Sequence, residues 1–361
     1  MRALEAKENI LKLKDSLGIS DDDLYAITLF IETSLKTPHE YTYLRKEDTH
    51  LARTLEVCPE GPYVFIHLKT HGIKKIGSGS AKHVTYSIKY DVERPELVAN
   101  CIIKDKPRAS RQRSIANEIA ACTTLKNLPG VCHTYAITRH AKPDGSKPVV
   151  SILQKFYAGS TLKSYFCRRK TLTRASLVAL TQSFLAGLRN IHSRGFFHGD
   201  LHLPNLLIEQ AQSPTSGILI DFGRCMTCSQ AQTVLPKIQA VRHNNPPEVF
   251  FAKPEAIDAR ACDIYAMGLC LYRIYFQQEP EWTQDKMRFR SIESVSEDER
   301  AQFAKELSDE IHSSIETVSK ETDPDDPFPG LIFSMIDPDP AKRADADALC
   351  RQFEQSFEKP R

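Results

Sequence analysis

The sequence lacks the long apolar runs, the charge imbalance and the cysteine framework that define several classes of protein. No uninterrupted apolar stretch approaches the ~18 residues of a membrane-spanning helix, so we expect no membrane span. The 48 Lys and Arg residues nearly balance the 46 Asp and Glu residues, which leaves no overall field to attract nucleic acid. The 10 cysteines are scattered singly, as is typical of reduced thiols. We therefore expect a cytoplasmic location, with delivery into another cell left open, and no nucleic-acid partner.

The composition is that of a globular protein. Hydrophobic residues make up 41% and charged residues 26% of the 361 residues, and there is no internal repeat or low-complexity tract. A chain of this length holds either one two-lobed domain with a small extension or two ordinary domains. The distribution of secondary-structure signals along the chain must decide between these alternatives.

The first region is predicted to be helical. Apolar residues recur at helical spacing from Ala3 to Leu17 and from Leu24 to Leu35. A third helix is predicted between about Glu40 and Val57, before a Pro- and Gly-containing boundary at 59–62. The sequence thus predicts a helical N-terminal extension over residues 1–62, whose apolar stripes either brace the next domain or dock a partner.

The pattern changes after this boundary. From 63 to 154, β-branched and aromatic residues alternate as in strands, interrupted by one helix from about Ser110 to Lys126. From 161 onward helices dominate, the longest being Ala175 to Arg194 and Asp263 to Gln277. A sheet followed by helices predicts an α+β fold with a small β-rich lobe and a larger helical lobe.

The strongest chemical signal is formed by Asp200, Asn205 and Asp221. Asn205 precedes one apolar strand and Asp221 follows the next, so a hairpin between these strands would bring the two side chains together. Their oxygens are the ligands that Mg²⁺ prefers, while Asp200 is left to act as a base. Phosphoryl transfer needs this combination of metal ligands and base. The alternative is that the carboxylates are a turn residue and a strand-end cap, which leaves their joint spacing unexplained.

Two weaker signals lie earlier in the chain. A run of small residues between two strand-like segments can admit phosphate to the backbone amides: Gly77, Ser78, Gly79 and Ser80. Further along, Lys104 ends an apolar strand and Glu118 lies on the apolar stripe of the helix, so each is expected to need the other. The simpler alternatives are a hairpin turn and two unrelated surface charges.

These motifs, in this order, resemble those of the protein kinase family from about Gly72 to Phe357. The resemblance implies a bilobal fold with an N-lobe at 63–154, a hinge at 155–158 and a C-lobe at 159–361. It implies ATP with Mg²⁺ or Mn²⁺ as metal, and a catalytic set of Asp200, Lys104, Glu118 and His202, with Asn205 and Asp221 on the metal. The implied nucleotide-binding residues are Gly77, Ser78, Gly79, Ser80, Val84, Lys104, Gln154, Lys155, Phe156 and Tyr157.

The distal part of the resemblance indicates the substrate class. Glu248 and Arg343 match a buried ion pair of protein kinases that aminoglycoside and choline kinases generally lack. We therefore expect protein substrates phosphorylated on Ser or Thr, with Tyr left open. A small-molecule phosphotransferase of the aminoglycoside or choline kinase type and a nucleotide-binding pseudokinase scaffold are the alternatives.

Two positions depart from the family pattern. Gly199 stands where an arginine usually precedes the catalytic aspartate, so we expect no gating by phosphorylation of the activation segment. His202 stands where serine/threonine kinases have a lysine that contacts the transferring phosphate. We expect the imidazole to offer that phosphate less positive charge than a lysine would, and the alternative is that His202 only packs in the fold. Cys225 and Cys228 have metal-ligand spacing, but no second pair accompanies them, so neither a zinc site nor a redox role is favoured.

Overall fold

The protein is described by a computed structural model. The residues that it describes are 42–44, 54–60, 63–69, 77–78, 82–90, 96–103, 109–140, 149–157, 159–209, 216–229, 244–251, 257–284 and 295–357. The chain divides into two compact units. The first comprises Met1–Arg111 and His133–Phe156, and the second comprises Gln112–Cys132 and Tyr157–Arg361.

The first unit contains an eight-stranded antiparallel sheet. Its strands are β1 (Thr42–Leu44), β2 (Thr54–Glu60), β3 (Tyr63–Lys69), β4 (Gly77–Ser78), β5 (Lys82–Tyr90), β6 (Glu96–Ile103), β7 (Thr134–His140) and β8 (Val149–Lys155). They lie in the order β1-β2-β3-β5-β6-β8-β7, and β4 pairs with β5. The strands predicted from alternating β-branched and aromatic residues after residue 62 are confirmed.

The third predicted helix, between about Glu40 and Val57, is wrong. This segment contains β1 and β2, and β2 pairs with β3 along its whole length, with Val57 opposite Ile66. The β-branched and aromatic residues here favour a strand once a neighbouring strand supplies the backbone hydrogen bonds, which overrides the weak helical spacing. The predicted extension over 1–62 is therefore not helical at 42–44 and 54–60. Its two earlier helices, with the docking role considered for them, lie outside the described residues.

The second unit is mostly helical. Its described helices are most of α1 (Ala109–Leu125), then α2 (Leu162–Cys167), α3 (Arg174–Ser193), α4 (Glu248–Phe251), α5 (Ala259–Phe276), α6 (Glu297–Lys320), α7 (Pro327–Met335) and α8 (Ala346–Phe357). Side chains cap several N-termini; the Thr173 hydroxyl, for example, accepts a hydrogen bond from Ser176 N at 3.2 Å at the start of α3. The long helices predicted from 3.6-residue periodicity are thus confirmed within a few residues.

Two small sheets accompany these helices. The first consists of β9 (Ser160–Thr161), β11 (Leu206–Ile208) and β12 (Gly217–Leu219), and the second of β10 (Phe196–Phe197) and β13 (Met226–Thr227). Both sheets are antiparallel. Asp200, Asn205 and Asp221 each lie within one to three positions of one of these strands.

The core of the second unit is built around α3 and α5. Phe184 on α3 and Tyr265 on α5 are both fully buried, and the hydroxyl of Tyr265 accepts a hydrogen bond from Trp282 Nε1 at 3.1 Å. Burial on this scale makes the unit a rigid support for the loops attached to it. In the part of the chain that the structure describes, none of the helices combines the length and apolar character needed to cross a bilayer.

Candidate active site

The hairpin of β11 and β12 brings Asn205 and Asp221 to the same end of a small sheet. Leu206 pairs with Leu219, and beyond them Ile220 N donates a hydrogen bond to Asn205 O at 3.1 Å. The Asn205 side chain turns toward the preceding loop, where Nδ2 donates to Asp200 O at 2.9 Å. The hairpin predicted from the sequence is therefore confirmed, and it brings the chain at Asp221 beside Asn205, whose side chain contacts the main chain of Asp200.

Asp221 has an unusual backbone conformation. Its φ angle is +67°, in the left-handed region that side-chain-bearing residues rarely adopt. Its Oδ1 accepts a hydrogen bond from Gly223 N at 3.2 Å, and the next residue, Phe222, is buried with its ring 5.5 Å from that of His198. Such local strain is held in place by surrounding contacts and concentrates at functional sites.

A buried carboxylate, Asp263, fixes the loop that carries Asp200. Asp263 on α5 is 2% exposed and accepts hydrogen bonds from His198 N at 2.6 Å and from Gly199 N at 2.9 Å. His192 Nε2 on α3 lies 3.1 Å from the same carboxylate. These bonds anchor the main chain just before Asp200 to the two central helices. This role of Asp263 could not be predicted from the sequence, because it depends on a contact across more than 60 residues.

Two basic side chains face the Asp200 carboxylate. His202 Nε2 lies 3.7 Å from Oδ2, and Arg224 Nε lies 3.8 Å from Oδ1. The side chains of Asp200, His202 and Arg224 are 18%, 28% and 30% exposed, so solvent screens their interaction only partly. Sequence reasoning identified His202 but missed Arg224, whose only signal is that it directly follows the segment from Asp221 to Gly223.

Gly199 explains how Arg224 approaches this loop. Its φ angle is +70°, and a Cβ atom at this position would lie 2.8 Å from Phe197 Cε2 and 2.9 Å from Arg224 O. A side chain at residue 199 would therefore collide with the main chain of Arg224. The departure noted in the sequence has a conformational reason in this fold.

The predicted nucleotide-binding residues are described only in part. In the first unit, Gly77 and Ser78 form β4 and pair with Val84 and His83 of β5, as expected for a turn between strands. Lys104, Gly79 and Ser80 lie outside the described residues, so the predicted pair of Lys104 with Glu118 stays a prediction.

The end of β8 carries the predicted hinge. Gln154 Nε2 lies 3.4 Å from Thr134 Oγ1, within hydrogen-bonding distance, and Lys155 N donates to His133 O at 3.0 Å. The Lys155 N–H is thus used within the first unit. Phe156 ends that unit, and Tyr157, 9% exposed, begins the second. Adenine contacts along Lys155, Phe156 and Tyr157 stay a prediction.

Glu118 is a buried carboxylate of the second unit. It is 6% exposed on α1, as its position on the apolar stripe predicted. Burial raises the pKa of the Cys225 thiol well above its ordinary value, and the charge of Asp263 and, to a smaller extent, that of Glu118 add to this effect. Glu118 therefore lies within electrostatic reach of the segment that follows Asp221. A buried thiol that is held neutral in this way is less nucleophilic than an exposed one.

The donor set suits a hard divalent cation. Asn205 contributes an amide oxygen and Asp221 a carboxylate, which are the oxygen ligands of Mg²⁺ or Mn²⁺. Among the described residues, no group of three or more His, Cys, Asp or Glu side chains is arranged to hold a metal ion. Mg²⁺ is commonly bound by one or two protein ligands together with substrate phosphate and water, so two side chains are a suitable set.

The predicted ion pair of Glu248 and Arg343 is confirmed. Arg343 Nη1 donates to Glu248 Oε1 at 2.6 Å and Nη2 donates to Oε2 at 3.0 Å, with the two side chains 0% and 5% exposed. The guanidinium also stacks over the ring of Tyr265, with its carbon 5.0 Å from the ring centre. This bidentate pair ties α4 to the segment between α7 and α8.

A pocket adjoins Asp200 on the side of α4. It is a small cavity of about 40 Å³, and its lining includes Asp200, His202, Arg224, Asn244 and Asn245. Asn244 is held in place because Arg273 Nη2 donates to its Oδ1 at 2.9 Å. The pocket is polar where it meets the Asp200 carboxylate, which suits an acceptor that brings a hydroxyl group.

A model of the protein kinase domain matches residues 70–353. The match spans most of the chain and contains each predicted site residue, from Gly77 to Asp221. The chain belongs to the protein kinase family.

Curated relatives support this assignment at low identity. One is the fatty acyl-CoA synthetase and RNA processing-associated kinase 1 of Saccharomyces cerevisiae, 25% identical over 227 residues, which are 62% of this chain and 25% of the relative. The serine/threonine-protein kinase KIN4 of the same yeast is 24% identical over 54% of this chain and 23% of the relative. The death-associated protein kinase 2 of Mus musculus is 24% identical over 59% and 56%. The chain thus spans about a quarter of the two yeast relatives.

Proposed function

We propose that the chain is an ATP-dependent protein kinase that transfers the γ-phosphate to Ser or Thr hydroxyls of protein substrates. The observation that carries the proposal is the convergence of Asp200, Asn205 and Asp221 on one end of the β11–β12 hairpin. The family match and the serine/threonine kinases among the relatives support it. The free thiols of the described cysteines, most of them buried, support a reducing, cytoplasmic location.

The proposed reaction assigns each residue a role. The acceptor oxygen attacks the γ-phosphorus, the bond from phosphorus to the ADP oxygen breaks, and the hydroxyl proton passes to the Asp200 carboxylate. A divalent cation held by Asn205 and Asp221 would neutralise phosphate charge. Lys104, positioned by Glu118, would bind the α or β phosphate, as the family resemblance implies.

Protein rather than small-molecule acceptors are favoured by the buried pair of Glu248 and Arg343. This pair anchors α4, and residues just before α4 line the pocket beside Asp200. A pocket wall that the Glu248–Arg343 pair holds in place suits an extended polypeptide that approaches Asp200 from outside the nucleotide site.

The test is transfer of labelled phosphate from ATP by the purified chain with Mg²⁺ or Mn²⁺. We expect labelling of generic protein acceptors that is lost in Asp200→Ala and Asp221→Ala, whereas Asp298→Ala, which removes an exposed carboxylate at the start of α6, behaves as wild type. Transfer to aminoglycosides or choline without protein labelling would support the small-molecule alternative. Nucleotide binding without transfer to any acceptor would support the scaffold alternative.

A further inference from the structure

We propose that Arg224 is a positioning residue for the Asp200 carboxylate and supplies a permanent positive charge beside it. The catalytic loop, which we define as His198 to Asn205, contains no Lys or Arg. The inference rests on the proposed kinase function of the same site. Arg224 Nε lies 3.8 Å from Asp200 Oδ1, and His202 Nε2 lies 3.7 Å from Asp200 Oδ2. One oxygen of the Asp200 carboxylate thus faces a guanidinium and the other faces an imidazole.

The charge of Arg224 does not depend on pH in the physiological range. A guanidinium stays protonated in proteins, so Arg224 places a full positive charge beside Asp200. At 3.8 Å the guanidinium attracts the carboxylate without a short hydrogen bond that would block Oδ1 as a proton acceptor.

The backbone around Arg224 is fixed on both sides. Arg224 lies within a turn in which Cys225 N donates to Phe222 O at 3.0 Å, and Phe222 and Cys225 are both buried. After it, Met226 and Thr227 pair with Phe197 and Phe196 in the β10–β13 sheet. The stem of Arg224 is thus held relative to the strand that leads into the catalytic loop, which makes a defined side-chain position possible.

Gly199 makes the approach possible. The Arg224 carbonyl oxygen lies where it would be 2.9 Å from a Cβ at residue 199, closer than a side chain tolerates. Gly199, which stands where the family usually has an arginine, thus leaves room for the main chain of Arg224. It therefore allows this main chain to lie against the segment that carries Asp200.

The experiment compares steady-state phosphate transfer to a protein acceptor by wild type, Arg224→Met and Arg224→Lys. We expect Arg224→Met to lower kcat by about 10²-fold with the KM for ATP changed by less than about threefold, because misplacing a reacting group costs on this order. Arg224→Lys keeps a cation and should stay within about tenfold of wild type. Placing a lysine at the other oxygen, in Arg224→Met/His202→Lys, should recover at least about tenfold over Arg224→Met.

The matched control is Arg260→Met, because Arg260 Nε also lies 3.7 Å from an aspartate, Asp258, but both side chains are more than half exposed. It should keep the wild-type kcat, and equilibrium unfolding should show that each variant folds. Wild-type kcat in Arg224→Met, or equal losses in Arg224→Met and Arg224→Lys, would overturn the inference while leaving the kinase proposal standing. Transfer by wild type no greater than by Asp200→Ala would overturn both.

Discussion

Replacing Arg343 with methionine should destabilise the second unit by about 3–5 kcal/mol, because it leaves the Glu248 carboxylate charged and buried without its partner. Besides its two bonds to Glu248, the guanidinium donates to the main-chain oxygens of Asp337 at 2.7 Å, Pro338 at 3.2 Å and Ala261 at 3.2 Å. Methionine fills much of the same volume but satisfies none of these acceptors. The loss therefore combines one broken buried ion pair with several carbonyl groups left without a donor.

The assay is equilibrium unfolding in urea, followed by far-UV circular dichroism, with Arg351→Met as the matched control. Arg351 also pairs with a carboxylate, Asp347, but on the surface of α8, where the two side chains are 59% and 54% exposed. Exposed pairs contribute about 0–1 kcal/mol, so the same substitution there should change the free energy of unfolding little. A loss below about 1 kcal/mol in Arg343→Met, or equal losses in the two variants, would refute the reasoning from burial.

Further predictions concern acid stability and close backbone contacts. Burial opposes ionisation of Asp326, but hydrogen bonds led by that from Arg174 outweigh it and lower its pKa below the ordinary 3.8. Ionised Asp326 therefore stabilises the fold fully above pH 3.8, and this contribution is lost as pH falls through the lowered pKa. In urea titrations, the stability advantage of wild type over Asp326→Asn should shrink below about pH 4. A constant difference in the free energy of unfolding would contradict this. Gly159→Ala should lower the thermal midpoint and cost about 3 kcal/mol or more, because its Cβ would lie 1.5 Å from Ile208 O, whereas Gly330→Ala, in an open helix position, should gain about 0.5–1 kcal/mol. A larger loss of stability in Gly330→Ala than in Gly159→Ala would contradict the predicted clash at Gly159.

The sequence predicted the parts of the site that depend on local pattern. Asn205 and Asp221 flank two short apolar strands, and a hairpin is the simplest way for such strands to pair, so their meeting could be expected. The pair of Glu248 and Arg343 was expected from the family resemblance, and the structure confirms it. In both cases the residue types and their order along the chain carried the information.

Other features could not be predicted, because they depend on contacts between distant segments. The residues of β1 and β2 have a weakly helical spacing, but the pairing of β1 with β2 and of β2 with β3 makes them strands. Asp263 lies on an apolar helix, and only the packed fold shows that its carboxylate binds the main chain before Asp200. Arg224 was missed for the same reason, since its position beside Asp200 depends on the missing Cβ of Gly199.

The most direct test of the kinase proposal is site-resolved mass spectrometry of protein acceptors incubated with ATP that carries heavy oxygen on its γ-phosphate. Wild type and Asp200→Asn are compared under the same conditions, with Mg²⁺ or Mn²⁺ present. We expect heavy phosphate on Ser or Thr residues of the acceptors with wild type only, because Asn cannot accept the hydroxyl proton. Heavy phosphate at equal levels with both proteins, or with neither, would contradict the role of Asp200 and with it the proposed function.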